Sequence, residues 1–557
     1  MPRLTDILSY GQGGLAVAVV AAVLVTSGRL PKRVPRGVIV AAAILAALPL
    51  VADLLLSGWY LFSPTYIDHI EASVASVTHY FMQGAPVYPD LGSYTFNGLL
   101  YGPLLAELNS LGYLVSGGVL GSKLVGWVAA WMAVVVMVLT APRAERDWAW
   151  AAGLIAPCCV LASFGNVLTA DRADSLLLLF ATLALWAVVR LPRLTGLLLA
   201  ALLAGLATDL KLHGPAYLVP ALVCWLARYE AGARPMRVAS VVAAVALVMA
   251  LGVVLPFLPS NVSITNYLAY LQLGAKHGLR IDLFAWNLTF LLSLWIPALL
   301  VAWAARGQRA SLPRHLAQFA TVLGIMEIAV AVIASKPGAG SHHLLPFLGF
   351  HAWLVQQLLA AEAGRATVAG QAMAISVAPT SDSWRELPAA RAAVTGLAAV
   401  LLGTAWPAAA MSYSFFNFNR LRPTQAAAFE ELRGVADRYP HGMMGIAGPE
   451  SYALTIFRPW LTLRGTPQTD YGAWMDWQLS GMSDAPLAKA LRACEIPYVF
   501  IPTGGEPFTM YNNYDSEPLF SEDVRATFAR NYSLIQPGQY YFVYGCTAAP
   551  SIKRGSP

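Results

Sequence analysis

Two carboxylates three residues apart, in the run Ser63-Pro-Thr-Tyr-Ile-Asp68-His-Ile-Glu71, come directly after an apolar run long enough to cross a bilayer. On a helix, positions three apart share a face. From Ser63 to Ser110 there is no Lys or Arg to neutralise Asp68 and Glu71. A partly desolvated carboxylate without a cation holds its proton more tightly, which is what a general base needs. A pair of solvated loop residues would look the same, so other signals must accompany it. The stretches Gly84-Ala-Pro-Val-Tyr88-Pro and Tyr101-Gly-Pro103 follow in the same segment.

Three more clusters of ionisable residues interrupt apolar sequence: Thr169-Ala-Asp171-Arg172-Ala-Asp174, Asp209-Leu-Lys211-Leu-His213-Gly-Pro215, and Ser335-Lys336-Pro-Gly-Ala-Gly-Ser341-His342-His343. A charge at the centre of a span costs on the order of 3 kcal/mol, so such residues ask for a reason. Arg172, Lys211, Lys336 and the imidazoles of His213, His342 and His343 supply donors and positive charge suited to a phosphate or diphosphate. Asp171 and Asp174 add a second acidic motif. Each residue taken singly also fits a structural role, such as a salt bridge between Asp209 and Lys211 or snorkelling at the interface. The Gly-rich turn after Lys336 lets backbone approach a ligand closely, but without a strand and helix around it this is no nucleotide P-loop.

The elements that must position these groups are transmembrane helices. Of 557 residues, 57% are hydrophobic and 12% charged, and the mean hydropathy is +0.58, which excludes an ordinary soluble globule. Apolar runs at about 13–26, 37–60, 117–141, 148–165, 175–191, 195–210, 214–228, 238–258, 285–304, 316–334, 344–361 and 392–410 predict about twelve spans. The net charge of +6 comes from basic residues dispersed between these runs, which reports topology and argues against a nucleic-acid partner. Arg29, Lys32, Arg33, Arg36, Arg143, Arg146, Arg190, Arg193, Arg228, Arg306, Arg309 and Arg314 fall on one set of alternating loops. By the positive-inside rule that set is cytoplasmic, so both termini and all four clusters are expected outside the cytoplasm.

After about Ser412 the apolar runs stop. The transmembrane part is therefore expected over residues 1–411, with 61–116 as its first extracytoplasmic loop, and an extracytoplasmic α/β domain over 412–557. Thr424 to Tyr439 and Leu487 to Cys494 have helical periodicity, with Thr424 as the expected N-cap, while Tyr498 to Ile501 and Tyr540 to Tyr544 predict strands. Trp460, Tyr471, Trp474, Trp477, Tyr511 and Tyr514 are aromatics whose faces would suit sugar rings if exposed, but each taken singly reads first as a core or membrane-surface residue. Cys494 and Cys546 are the cysteines of this domain and the candidates for a disulfide.

The acidic residue after an early helix, the Gly-x-Pro-x-Tyr, the Tyr-Gly-Pro, and the Asp-Arg-Ala-Asp-Ser, Lys-Leu-His-Gly and Lys-Pro-Gly…His-His-Leu-Leu-Pro segments together resemble the GT-C superfamily. This superfamily of glycosyltransferases includes protein O-mannosyltransferases and lipid A aminoarabinose transferases. The resemblance covers about residues 37–410 and the plan of a soluble domain outside. It implies a polytopic α-helical membrane enzyme, in a bacterial cell membrane, that takes a sugar from a polyprenyl phosphate carrier and inverts the anomeric centre. The acceptor would be a lipid, glycan or protein. Two features depart from the family: an extra N-terminal span, and Asp-x-x-Glu where the mannosyltransferases have adjacent Asp-Glu.

The resemblance implies that Asp68, or Glu71 given the altered spacing, acts as general base. Lys211, Lys336, Arg172, His213, His342 and His343 would hold the donor phosphate. Glu71 and Asp174 would orient acceptor or cations, with Asp171, Tyr88 and Tyr101 nearby. No cofactor is expected, although several carboxylates facing one cavity could hold a divalent metal. A transporter or flippase for an anionic or polyprenyl-linked substrate would also need charged groups in a cavity, but near the midplane and with internal symmetry. A glycan-binding scaffold would leave the acidic loop unexplained.

Overall fold

A computed structural model describes residues 51, 53–63, 65–66, 69–96, 100–140, 170–229, 235–305, 314–358, 424–448, 454–466 and 468–547. Asp68, Thr169 and the apolar runs at 13–26, 148–165 and 392–410 lie outside the described residues. Among the described residues, the N-terminal helical part contains α1 (53–61), α2 (His69–Met82), α3 (Leu104–Val115), α4 (Gly118–Thr140), α5 (Ala173–Arg190), α6 (Arg193–Thr208), α7 (Gly214–Tyr229), α8 (Pro235–Val254), α9 (Ile264–Gly274), α10 (Ile281–Ala305), α11 (Arg314–Ile333) and α12 (348–358).

Four helices among the described residues are long and apolar enough to cross a membrane: 118–140, 173–190, 236–257 and 315–333. The 16-residue helices α6 and α7 span only about 24 Å each, short of a hydrocarbon core of about 30 Å. They are the two separate runs expected at 195–210 and 214–228, joined by the polar turn from Asp209 to His213. The run expected at 344–361 opens with a 3-10 turn over Ser341–Phe347 before α12. Burial sorts the helices. Packed by α4, α6 and α7, α5 is buried over most of its length, whereas α8 touches chiefly α6 and leaves Met236, Val242, Leu247 and Leu251 exposed. A helix that is apolar all round needs apolar surroundings on both faces, which for α8 means lipid.

The first loop is itself helical. Its helix α2 is rich in Ser and Thr yet buried from Glu71 to Tyr80. The polar cost is met within the helix, since Ser73 Oγ donates to His69 O (2.8 Å) and Thr78 Oγ1 to Val74 O (2.9 Å). Lys123 of α4, fully buried, donates to the carbonyls of Tyr60, Ser63 and Thr65 at 3.2, 3.0 and 2.6 Å. It thereby ties the end of α1 and the start of the acidic segment to the bundle.

The C-terminal domain contains helices α13 (424–438), α14 (Arg458–Leu463), α15 (Tyr471–Gln478), α16 (Ala485–Arg492) and α17 (Glu522–Asn531). Its strands are β1 (Met443–Met444), β2 (Tyr498–Pro502), β3 (Tyr532–Gln536) and β4 (Tyr541–Cys546), in the order β1-β2-β4-β3, with β1 parallel to β2 and the other pairs antiparallel. Both expected strands and both expected helices are present, although Thr424 is already helical. Cys494 and Cys546 form a disulfide. The aromatics divide between the two readings: Tyr471, Trp474 and Trp477 are core residues, while Tyr511 is exposed and Trp460 and Tyr514 are half-buried. The core residues are on α15, which packs against α2.

The domain is joined to α2 through buried polar contacts. Arg458 pairs with Asp470 at 3.1 Å and donates to Ser73 Oγ at 3.1 Å, both ionic side chains being at most 1% exposed. Gln468 N donates to Tyr80 Oη (2.9 Å), and His79 Nδ1 meets Pro459 O (3.1 Å). Arg458→Met strands the Asp470 carboxylate in this joint, at an expected cost of about 3–5 kcal/mol. Thermal unfolding of the detergent-purified protein should show a clear fall in midpoint. Arg458→Met/Asp470→Asn should recover much of that fall, since Asn keeps the N-cap that Asp470 gives α15.

Candidate functional site

Glu71, in the first turn of α2, is fully buried, and both its oxygens are engaged: Oε1 accepts from Asp171 N at 3.0 Å and Oε2 from the Tyr60 hydroxyl at 2.5 Å. This carboxylate spans the space between the end of α1 and the segment leading into α5. That geometry suits a positioning role better than proton transfer to a mobile acceptor. Asp171 Oδ1 accepts from Asn109 Nδ2 (2.5 Å), which adds α3 to the same network.

Asp174 begins α5 and meets the cations. Its Oδ1 lies 2.7 Å from Lys211 Nζ and its Oδ2 3.6 Å from Arg172 Nε, and Asp174 itself is fully buried. The salt bridge weighed between Asp209 and Lys211 is thus replaced by one reaching 37 positions back to Asp174. The cause is local: Lys211 forms an antiparallel bridge with Tyr101, and its Nζ lies 5.4 Å from the Tyr101 ring. Gly102 makes that approach feasible, since a Cβ there would stand 2.3 Å from the Asp209 carbonyl oxygen. Tyr88 supports the same strand-like segment by donating to Tyr101 O at 2.8 Å.

His213 and His343 meet across α7 and the 3-10 turn, His343 Nδ1 lying 3.2 Å from His213 Nε2. Tyr217 Oη sits 3.0 Å from His213 Nε2 and donates to His343 O at 2.8 Å. The His342 ring packs on His343 with centroids 4.6 Å apart. Burial, then the Lys211 charge, pushes His213 down to about 3, and the same causes hold His343 well below its ordinary value. These two imidazoles are therefore neutral at physiological pH. They offer hydrogen bonds to a phosphate but not the positive charge the sequence suggested, because they sit beside lysines in a buried wall.

Lys336 follows α11 in a turn closed by Ala339 N donating to Lys336 O (3.1 Å). Half-burial depresses its ammonium below the ordinary lysine value. Gly338, at φ +78°, faces the Asp476 carboxylate and the Tyr514 hydroxyl of the C-terminal domain, which stand 2.8 and 2.9 Å from where its Cβ would be. The soluble domain thus closes over the Lys336 turn, and burial pushes Asp476 up to about 7.

All four sequence clusters are represented here: Glu71, Asp171 to Asp174, Lys211 with His213, and His342 with His343 form one connected wall, with the Lys336 charge acting on His213. Asp68 lies outside the described residues. Among the described residues no group of three or more His, Cys, Asp or Glu could hold a metal ion. Sequence reasoning passed over Lys123, and also Glu327, which accepts from Trp295 Nε1 (2.7 Å) and pairs with His351 between α10, α11 and α12. The signal was present in both cases, as an ionisable residue inside an apolar run.

No family model matches the sequence, and no curated protein matches it. Among solved structures, the chain is similar to ArnT from Cupriavidus metallidurans bound to undecaprenyl phosphate. The identity is 15% and the TM-score 0.51, over 90% of this chain and 98% of that one. The apo state of the same protein matches at 13% identity and a TM-score of 0.52, over 89% and 96%. The chain shares the fold of that protein.

Proposed function

We propose that this chain is an integral membrane glycosyltransferase of GT-C type, moving a sugar from a polyprenyl phosphate carrier to an acceptor hydroxyl at the extracytoplasmic face. The observation that carries the reading is the meeting of sequence-distant ionisable groups around the Lys211–Asp174 pair, in a fold shared with a protein crystallised with undecaprenyl phosphate. A buried wall of cations held by carboxylates is suited to a phosphate that arrives already desolvated by its lipid. The disulfide between Cys494 and Cys546 supports an oxidising compartment for the C-terminal domain, with residues 1–411 as the membrane part and both termini on that same side.

In the mechanism, Asp68 takes the acceptor hydroxyl proton as the oxygen attacks the anomeric carbon in line. The bond from that carbon to the phosphate oxygen breaks, and the polyprenyl phosphate leaves carrying the electron pair. Lys211, Lys336 and Arg172 neutralise the charge that develops, His213, His342 and His343 offer hydrogen bonds, and the configuration inverts. Asp174 holds Lys211, Glu71 holds Asp171, and Tyr88 and Tyr101 shape the floor.

The test is transfer by the purified protein from a defined polyprenyl phosphate sugar, followed by mass spectrometry of the products. Lys336→Ala should lose one charge-assisted contact, about 1.5–3 kcal/mol, and so reduce use of the lipid donor on the order of tenfold to a hundredfold at unchanged abundance. Movement of the intact lipid-linked sugar across vesicles, with no covalent transfer, would favour a flippase instead.

A further inference from the structure

The turn that carries Lys336 is held from two sides. Ala339 N donates to Lys336 O at 3.1 Å, with Pro337 second and Gly338, at φ +78°, third, which is the pattern of a type II turn. Proline fixes one φ of such a turn and glycine alone takes the next at low cost, so the four residues move together. A displacement of Gly338 therefore carries Lys336 with it. On the membrane side the two ends of the segment are tied to α10 and the residue that enters it: Arg280 N donates to Ser335 O at 2.8 Å and Trp286 Nε1 to Ser341 Oγ at 3.2 Å.

The apex of the turn is met by the C-terminal domain. Asp476 Oδ1 and Tyr514 Oη face Gly338 so closely that a Cβ there would stand 2.8 and 2.9 Å from them. Both are themselves fixed. Asn512, fully buried, donates to Met475 O (2.8 Å) and Gln478 Oε1 (2.9 Å) of α15 and accepts from Tyr514 N (3.0 Å), while the Tyr514 hydroxyl hydrogen-bonds the Asp476 carboxylate. His277, in the 3-10 turn Ala275–His277, hydrogen-bonds the Asp476 backbone, and the Lys336 charge acts on its ring. The other end of α15 rests on α2, because its N-cap Asp470 pairs with Arg458, which donates to Ser73. One helix of the domain thus connects the helix that carries Glu71 to the turn that carries Lys336. Asp476 Oδ1 has no hydrogen-bond partner among the described residues, a cost that fastening the domain does not by itself explain.

We infer that Asp476 and Tyr514 are positioning residues of the donor site: seated on Gly338, they fix the turn from which Lys336 reaches the carrier phosphate, and they make the C-terminal domain part of that site. This rests on the assignment of Lys336 to the phosphate in the glycosyltransferase reading above. A lysine on a loose backbone must be ordered at the moment of binding, which costs affinity, whereas a turn held beforehand avoids that cost.

The experiment measures binding of undecaprenyl phosphate, and of undecaprenol, which lacks the phosphate, to the purified full chain, with the unfolding midpoint of each variant as the control for folding. The parent should prefer the phosphate lipid, and Lys336→Ala should lose part of that preference. Tyr514→Phe, which removes one oxygen, and Asp476→Asn, which keeps the shape, should each lower affinity for undecaprenyl phosphate about fivefold. Undecaprenol binding and the midpoint should stay with the parent. In the Lys336→Ala background the same two changes should lower phosphate binding no further. Binding like the parent's in both variants would overturn the positioning role, as would an equal loss for both lipids or a full loss in the Lys336→Ala background. If Lys336→Ala kept the parent's preference, the assignment of Lys336 would fall and the inference with it. A parent that binds undecaprenyl phosphate no better than undecaprenol would overturn the glycosyltransferase reading itself.

Discussion

Asp68→Asn is expected to lower sugar transfer at least a hundredfold while leaving binding of the lipid donor intact. Asn keeps the shape and much of the hydrogen bonding of Asp but cannot take a proton, and general-base catalysis typically contributes a factor of 10²–10⁴. The two carboxylates of the acidic segment can be told apart, because Glu71 is fully buried with its oxygens committed to Asp171 N and the Tyr60 hydroxyl. Glu71→Gln should therefore act through structure. It weakens the junction between α1, α2 and the start of α5, so thermal stability and abundance fall, and turnover per folded molecule falls less than tenfold. Single-turnover transfer from a defined donor, normalised to folded protein, separates the two outcomes. Full activity in Asp68→Asn with a dead but well-folded Glu71→Gln would move the base to Glu71, against the contacts seen here.

The second large effect concerns Lys211, whose ammonium and the Asp174 carboxylate are both buried at 2.7 Å separation. Removing one partner of such a pair leaves the other uncompensated, at about 3–5 kcal/mol. Lys211→Met should thus reduce both abundance and activity, and by itself proves little. The informative variant is Lys211→Met/Asp174→Asn, which removes both charges and should restore abundance towards the parent. If Lys211 neutralises the leaving phosphate, transfer stays down about a hundredfold even so, which corresponds to about 2.7 kcal/mol. Recovery of both abundance and transfer in the double variant would reduce Lys211 to a structural ion. Isothermal binding of undecaprenyl phosphate to the same proteins locates the loss in the carrier phosphate.

Most of the helices were readable because length and periodicity are local properties. The run expected at 117–141 is α4 at Gly118–Thr140, that at 175–191 is α5 at Ala173–Arg190, and that at 316–334 is α11 at Arg314–Ile333. The 61–116 segment, expected as a loop, contains the helices α2 and α3. Hydrogen bonds from Ser73 and Thr78 to carbonyls of their own helix let α2 be buried despite its polar residues. The soluble domain shows the same limit. Runs of β-branched and aromatic residues between Pro and Gly turns marked β2 and β4, while β3, interrupted by a register shift between Leu534 and Gln536, carried no such signature.

The sequence by itself determined that this is a membrane protein with an appended α/β domain, because apolar runs of bilayer length and their charged borders leave a chain few alternatives. It also determined which residues were out of place: Glu71, Asp171, Arg172, Asp174, Lys211, His213, Lys336, His342 and His343 all interrupt apolar sequence, and most of them prove to share one wall. Only the tertiary structure decided who partners whom. Lys211 reaches Asp174 instead of Asp209, two residues away, because its bridge to Tyr101 sets its direction. His213 and His343 lose their charge because a buried wall with lysines raises the cost of another cation. Tyr471, Trp474 and Trp477 go inward, while Asp209 Oδ2 and Glu107 Oε1 have no hydrogen-bond partner among the described residues. Spans follow from interactions between a residue and its solvent, which composition encodes. Charge state, partnership and burial follow from what the other segments bring within a few ångströms, and no local pattern records that.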